Sequence, residues 1–197
     1  MTTLRPDALR AMEYVESLGR RDFLRFSAAA ASLFACGSLL QPVAALAALP
    51  AGIKHMSEGE YAVLHRLMEV MLPTQGTALL PVDKIPVLQT LDGALLATME
   101  PHILKGLKGG IAYFNDGPMG VFGKRFVDLA EADAIRFCDT WADSAEVPQR
   151  ALAMGLKKLV GLAYWANPPT WAPLGYDGPV TKRWGLKSYG NAPIPKH

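Results

Sequence analysis

From residue 57 onward, apolar residues recur at helical spacing, and the breaks between runs fall at proline and glycine. Tyr61, Leu64, Leu67, Met68, Met71 and Leu72 line one side of a helix that stops before Pro73. Ser57-Glu58-Gly59-Glu60 marks its start as a capping box, with Ser57 as N-cap and Glu60 at the third helical position. Met56 and Tyr61 stand where a hydrophobic staple would close across that cap. A second helix is expected from about Asp83, with Val87, Leu88, Leu91, Leu95 and Met99 inward. A third follows Pro101, carries Ile103, Leu104, Leu107, Ile111 and Phe114 inward, and ends at the turn Asn115-Asp116-Gly117-Pro118. A fourth runs from about Glu131 to Ala142 on Ala134, Ile135, Cys138 and Trp141. A fifth starts at Pro148, whose fixed φ suits a first helical position, and carries Leu152, Leu156, Leu159, Val160 and Ala163. No run shows a convincing strand alternation. The pattern predicts an all-α fold, a single bundle of about five helices.

The pattern changes after the fifth helix. Tyr164-Trp165-Ala166-Asn167-Pro168-Pro169-Thr170-Trp171 leads into Pro173-Leu174-Gly175-Tyr176-Asp177-Gly178-Pro179, where proline and glycine predict irregular backbone. Trp165, Trp171, Tyr176, Trp184 and Tyr189 nevertheless crowd this segment. A loop hides so many rings only with help. They either staple the segment to its own bundle or fill pockets on another protein, and Trp165, Trp171 and Tyr176 are the candidate partner-binding anchors.

The chain upstream of the bundle reads as a targeting segment. Arg5, Arg10, Arg20, Arg21 and Arg25 punctuate a polar leader, and no charge occurs from Phe26 to Ile53. Arg20-Arg21-Asp22-Phe23-Leu24-Arg25 ahead of that mildly apolar run has the form of a twin-arginine export signal, with Arg20, Arg21, Phe23 and Leu24 as its core. Gly19 stands where Ser or Thr is more usual. Ala45-Leu46-Ala47 fits small-x-small processing after Ala47, giving a signal over 1–47 and a domain over 48–197. A retained anchor is the other reading. Phe26 to Leu49 as one helix would span about 36 Å against a hydrocarbon core of about 30 Å, but Pro42 interrupts it. Leu33-Phe34-Ala35-Cys36 also resembles a lipidation site at Cys36, with bulky Phe34 against it.

The whole chain has 20 Lys and Arg against 18 Asp and Glu, a net charge of +2, which is no footprint for nucleic acid. The Lys182, Arg183, Lys187 cluster reads first as a solvated tail. Once Cys36 leaves with the signal, Cys138 stands alone, either buried on its helix or paired in an intersubunit disulfide. His55, His65, His102 and His197 lack metal-motif spacing, and phosphate-loop, dinucleotide and haem-attachment motifs are absent. Gly106, Gly109 and Gly110 suit close packing, and Asp128, Glu131 and Asp133 complement a helix N-terminus. No catalytic residue and no cofactor-binding set emerges. The twin-arginine route carries proteins already folded, often with a cofactor in place, so the leader points to a partner as cargo.

Several motifs together resemble the gluconate 2-dehydrogenase subunit 3 family. They are the twin-arginine leader, Ser57-Glu58-Gly59-Glu60-Tyr61, Val70-Met71-Leu72-Pro73-Thr74, Tyr164-Trp165 with Asn167-Pro168, Trp171, and Leu174-Gly175-Tyr176-Asp177-Gly178-Pro179. The last is the most specific. Ala130, at a helix start where Ser is common, departs from the pattern, and Cys138 belongs to none of it. The resemblance implies a non-catalytic small subunit of a periplasmic sugar or polyol dehydrogenase, held near the inner membrane through its complex. It implies a large FAD-binding flavoprotein of the glucose–methanol–choline type, a cytochrome c subunit whose haem c takes the electrons, and the twin-arginine translocase as partners. The small subunit would carry the export signal and escort the folded flavoprotein. The alternatives are a membrane tether, through an uncleaved signal or lipidated Cys36, and a self-sufficient periplasmic enzyme.

Overall fold

The Ser57 hydroxyl accepts the Glu60 backbone N–H at 3.3 Å, and the Glu60 carboxylate accepts the Ser57 N–H at 2.8 Å. This reciprocal cap satisfies donors that a helix start leaves open, and α1 runs from it over Glu58–Met71. Met56 and Tyr61 are both buried at the staple positions. The computed structural model describes residues 49–186 together with Arg10, Tyr14 and Ser17. Arg20, Arg21, Phe23, Leu24, Cys36, Ala45, Ala47, Lys187, Tyr189 and His197 lie outside the described residues.

The expected second helix is divided. Val82–Lys84 is a 3₁₀ turn, and Ile85 is extended (φ −130°, ψ 136°) ahead of Pro86. α2 proper is Val87–Thr90, followed by a π-helical turn at Leu91–Leu95 and a 3₁₀ turn at Leu96–Thr98. Pro86 supplies no N–H to a helix begun at Asp83 and disfavours helical backbone at Ile85. The inward side chains are still those that the spacing selects: Val87, Leu88, Leu91, Leu95 and Met99 are buried.

α3 (Pro101–Asp116) buries Leu107, Ile111 and Phe114, with Gly106 and Gly110 between them. Gly109 is exposed, and a Cβ there would meet nothing within 4 Å, so close packing explains Gly106 and Gly110 but not Gly109. A short α4 (Met119–Phe122) ends at left-handed Gly123 (φ 64°), and a 3₁₀ turn at Phe126–Asp128 leads to α5 (Glu131–Ala142). The inward stripe of α5 is Ala134, Phe137, Cys138 and Trp141. Ile135, expected inward, is 43% exposed. Two residues are about 200° of helix rotation, so Ile135 and Phe137 face opposite ways, and the larger Phe137 ring captures the core.

α6 (Val147–Trp165) is the axis of the bundle and packs against α1, α2, the π turn, α3 and α5. Its Leu152, Leu156, Leu159 and Val160 are wholly inaccessible to solvent. An aromatic cluster joins α3 to α5: the Phe114 ring lies edge-on to Phe126, Phe137 and Trp141, with centroids at 4.8, 5.1 and 5.4 Å. Such contacts add about 0.5–1.5 kcal/mol each beyond area burial. The fold is all-α: among the described residues there is no strand, and no helix is long and apolar enough to cross a membrane. Beyond α6 the chain forms 3₁₀ turns at Pro168–Thr170 and Ala172–Leu174, then α7 (Val180–Arg183). The segment expected to be irregular is thus a string of single helical turns opened by proline.

Candidate functional site

Asn167 anchors the aromatic C-terminal segment. Its side chain is wholly buried and each of its polar atoms has a partner: Oδ1 accepts the Thr90 hydroxyl at 3.1 Å, and Nδ2 donates to the Ala163 carbonyl at 2.7 Å. Its own carbonyl accepts the Thr170 hydroxyl at 2.8 Å. Buried amides and hydroxyls need such partners, and this hub fixes the direction in which the chain leaves α6. One turn earlier, buried Tyr164 donates its phenol to the Leu80 carbonyl at 2.8 Å, and burial raises its pKa.

The three candidate anchors converge. The Trp171 indole Nε1 donates to the Trp165 carbonyl at 2.8 Å, and the Trp171 and Tyr176 rings meet edge-to-face at 5.1 Å. Trp165 in turn lies edge-on to Tyr164 at 4.8 Å. Left-handed backbone at Gly175 (φ 65°) and Gly178 (φ 103°) folds the loop around the indole. A Cβ at Gly178 would sit 3.2 Å from Trp171 Cζ3, so glycine is required there for conformation and for space. All three rings are half-buried. The segment is therefore stapled to its own bundle while keeping part of each ring at the surface. Leu174, Val180, Trp184 and Leu186 next to them are exposed, Trp184 at 64%. Asp177 pairs with Arg183 at 3.0 Å.

Cys138 faces the core of the bundle as a free thiol, 2% exposed. Burial pushes its pKa up to about 12, neighbouring Asp139 adds to the rise, and Lys157 opposes it. His65 is a boundary residue on α1, its Nδ1 3.6 Å from Glu69. His102 is exposed beside Glu100, and His55 is half-buried. Among the described residues no group of three His, Cys, Asp or Glu side chains is placed to share a metal ion.

The family model described as Gluconate 2-dehydrogenase subunit 3 matches residues 58–178. The chain belongs to this family. The match opens on the first residue of α1 and closes on the glycine packed against Trp171, so it takes in the bundle and the aromatic segment. The leader, residues 49–57 and α7 lie outside it. Membership makes the chain a component of a multi-subunit dehydrogenase. No curated protein and no solved structure matches the chain.

Two buried polar residues escape a reading of apolar spacing. Asn167 sits in a proline-rich stretch whose composition suggests exposure. Asp92 interrupts an apolar run yet shares the inward face with Leu88 and Leu95, at spacings of four and three residues. A lone carboxylate on a core stripe was the available signal. Both are wholly inaccessible to solvent, and both have hydrogen-bond partners.

Proposed function

We propose that this chain is the non-catalytic small subunit of a periplasmic dehydrogenase. It escorts a folded FAD-binding flavoprotein of the glucose–methanol–choline type through the twin-arginine translocase and then remains bound to it. The flavoprotein oxidises a sugar or polyol, and a cytochrome c subunit takes the electrons on haem c. The complex stands at the inner membrane on its periplasmic side. One pairing carries this reading: the family match over 58–178 lies directly downstream of a leader containing Arg20-Arg21-Asp22-Phe23-Leu24. Trp165, Trp171 and Tyr176 supply the contact. The Trp171 ring is held by its indole hydrogen bond and by Tyr176 edge-on to it, and the Trp165 ring lies edge-on to Tyr164, so docking costs little side-chain entropy. A lasting subunit contact buries about 2,000 Å² or more, and Leu174, Val180 and Trp184, exposed and close in sequence, would contribute to it.

The test is co-expression with a candidate flavoprotein subunit from the same organism. Replacing Arg20 and Arg21 by Lys leaves both proteins in the cytoplasm, still associated, with flavin in the large subunit. Export of the large subunit without this leader sinks the escort reading. Substrate oxidation by the small subunit alone sinks the non-catalytic one.

A further inference from the structure

The chain enters the bundle through a short strap, residues 54–57, whose backbone N–H groups are all taken by carboxylates. Asp92 Oδ2 accepts from Lys54 at 2.7 Å, and Asp92 Oδ1 accepts from His55 at 2.9 Å and Met56 at 3.0 Å. The Glu60 carboxylate accepts from Ser57 at 2.8 Å. Lys108 completes the arrangement, donating Nζ to the His55 carbonyl at 2.6 Å and to Glu60 Oε2 at 2.8 Å. Asp92 is wholly buried, Met56 is buried beside it, and the Lys54 side chain remains exposed.

The strap has no backbone ladder with another strand. Three elements hold it: α1, which follows it directly, through Glu60, and the more distant π turn and α3 through Asp92 and Lys108. A carboxylate enters an apolar core only if charge-assisted donors replace its water, and here the strap's amides are those donors. Neither side is satisfied without the other. The strap therefore takes this form only after α1, the π turn and α3 have assembled.

We infer that Asp92 and Lys108 form a fold-sensing clasp on the junction between leader and domain. In the folded chain the clasp pins residues 54–57, so the segment reaching back to Ala47 leaves from a fixed point and the Lys54–His55 bond resists proteases. In an incompletely packed domain the same residues are released. A chain exported after folding thereby carries a local report of its folding at the root of its signal. This role rests on the export reading, but the clasp itself is tested without translocase or flavoprotein.

The experiment uses the full-length chain, with tryptic cleavage after Lys54 followed by mass spectrometry and hydrogen exchange at residues 54–57. The wild type is expected to be cut after Lys54 at least tenfold more slowly than a free peptide of residues 48–60, with those amides protected. Asp92→Asn and Lys108→Met each accelerate that cleavage while the helical circular dichroism is kept; Lys105→Met does not. Cleavage of the wild type at the peptide's rate, or unprotected amides at 54–57, overturns the clasp. If Asp92→Asn does not fold, Lys108→Met and the wild-type exchange decide. Failure of export with protected amides counts against the export reading alone.

Discussion

Thr90 and Asn167 lie 77 residues apart and share a buried hydrogen bond of 3.1 Å that joins the end of α2 to the chain just beyond α6. Both side chains are sealed from water, so neither has a solvent substitute for its partner. Thr90→Val preserves shape and removes the donor, leaving Asn167 Oδ1 unsatisfied. The expected cost is about 1–3 kcal/mol. Urea unfolding should show a lower midpoint with an unchanged slope, and Thr90→Ser should recover part of the loss. Because Asn167 also orients the segment holding Trp171, the Trp171 indole N–H should exchange faster in Thr90→Val. An unchanged midpoint would mean that the bond contributes nothing net.

How far the sequence announced this arrangement depends on which interaction decides each element. Capping and helical spacing are local, and they located α1, α3, α5 and α6 closely; α5 occupies Glu131–Ala142 as its pattern predicts. Local spacing misjudged face where two apolar neighbours competed. Ile135 and Phe137 both fit an inward stripe, and the choice was made by Phe114 and Phe126, which pack on Phe137 from outside α5. It also missed the break at Pro86, because the inward residues that set the helical phase, Val87 to Met99, all lie beyond that proline. The roles of Asp92 and Asn167 escaped for a different reason, although a lone carboxylate on a core stripe did mark Asp92. Their partners lie 36–38 and 77 residues away, and nothing in the local chain encodes a distant amide or hydroxyl.

Gly117 gives a steric prediction. It follows α3, where a Cβ would fall 2.4 Å from Trp141 Cζ2 and 2.9 Å from Phe137 Cζ. Its backbone is helical (φ −52°, ψ −43°) directly ahead of Pro118, a conformation that a Cβ disfavours, so alanine meets a backbone penalty as well as the steric one. Trp141 cannot swing aside freely, because Tyr113, Phe114 and Phe137 surround it. Gly117→Ala should cost about 1–3 kcal/mol through overpacking, with a shifted Trp141 emission. Trp141→Phe frees the contested volume, so the double variant should lose less than the two single changes summed. Additive losses would place the strain elsewhere.

Cys138 makes a prediction in pH. Its thiol rises from the ordinary value of 9.0 to about 12 because burial disfavours the thiolate, with Asp139 adding to the effect. The neutral thiol is therefore favoured by folding. Its stabilising contribution is fully present below about pH 9 and is lost progressively as pH rises toward about 12, since the unfolded chain releases the proton first. Tyr61 and Tyr164, also raised by burial, push in the same direction at alkaline pH. The difference between wild type and Cys138→Ala isolates the thiol: the alanine variant should lose less stability between pH 9 and pH 11. In the isolated native chain the same burial should make reaction with an aromatic disulfide at pH 8 at least a hundredfold slower than in urea. A disulfide from Cys138 to another subunit would require α5 to present a residue that is 2% exposed. Native labelling as fast as in urea would show that α5 opens readily, and would put such a bond within reach.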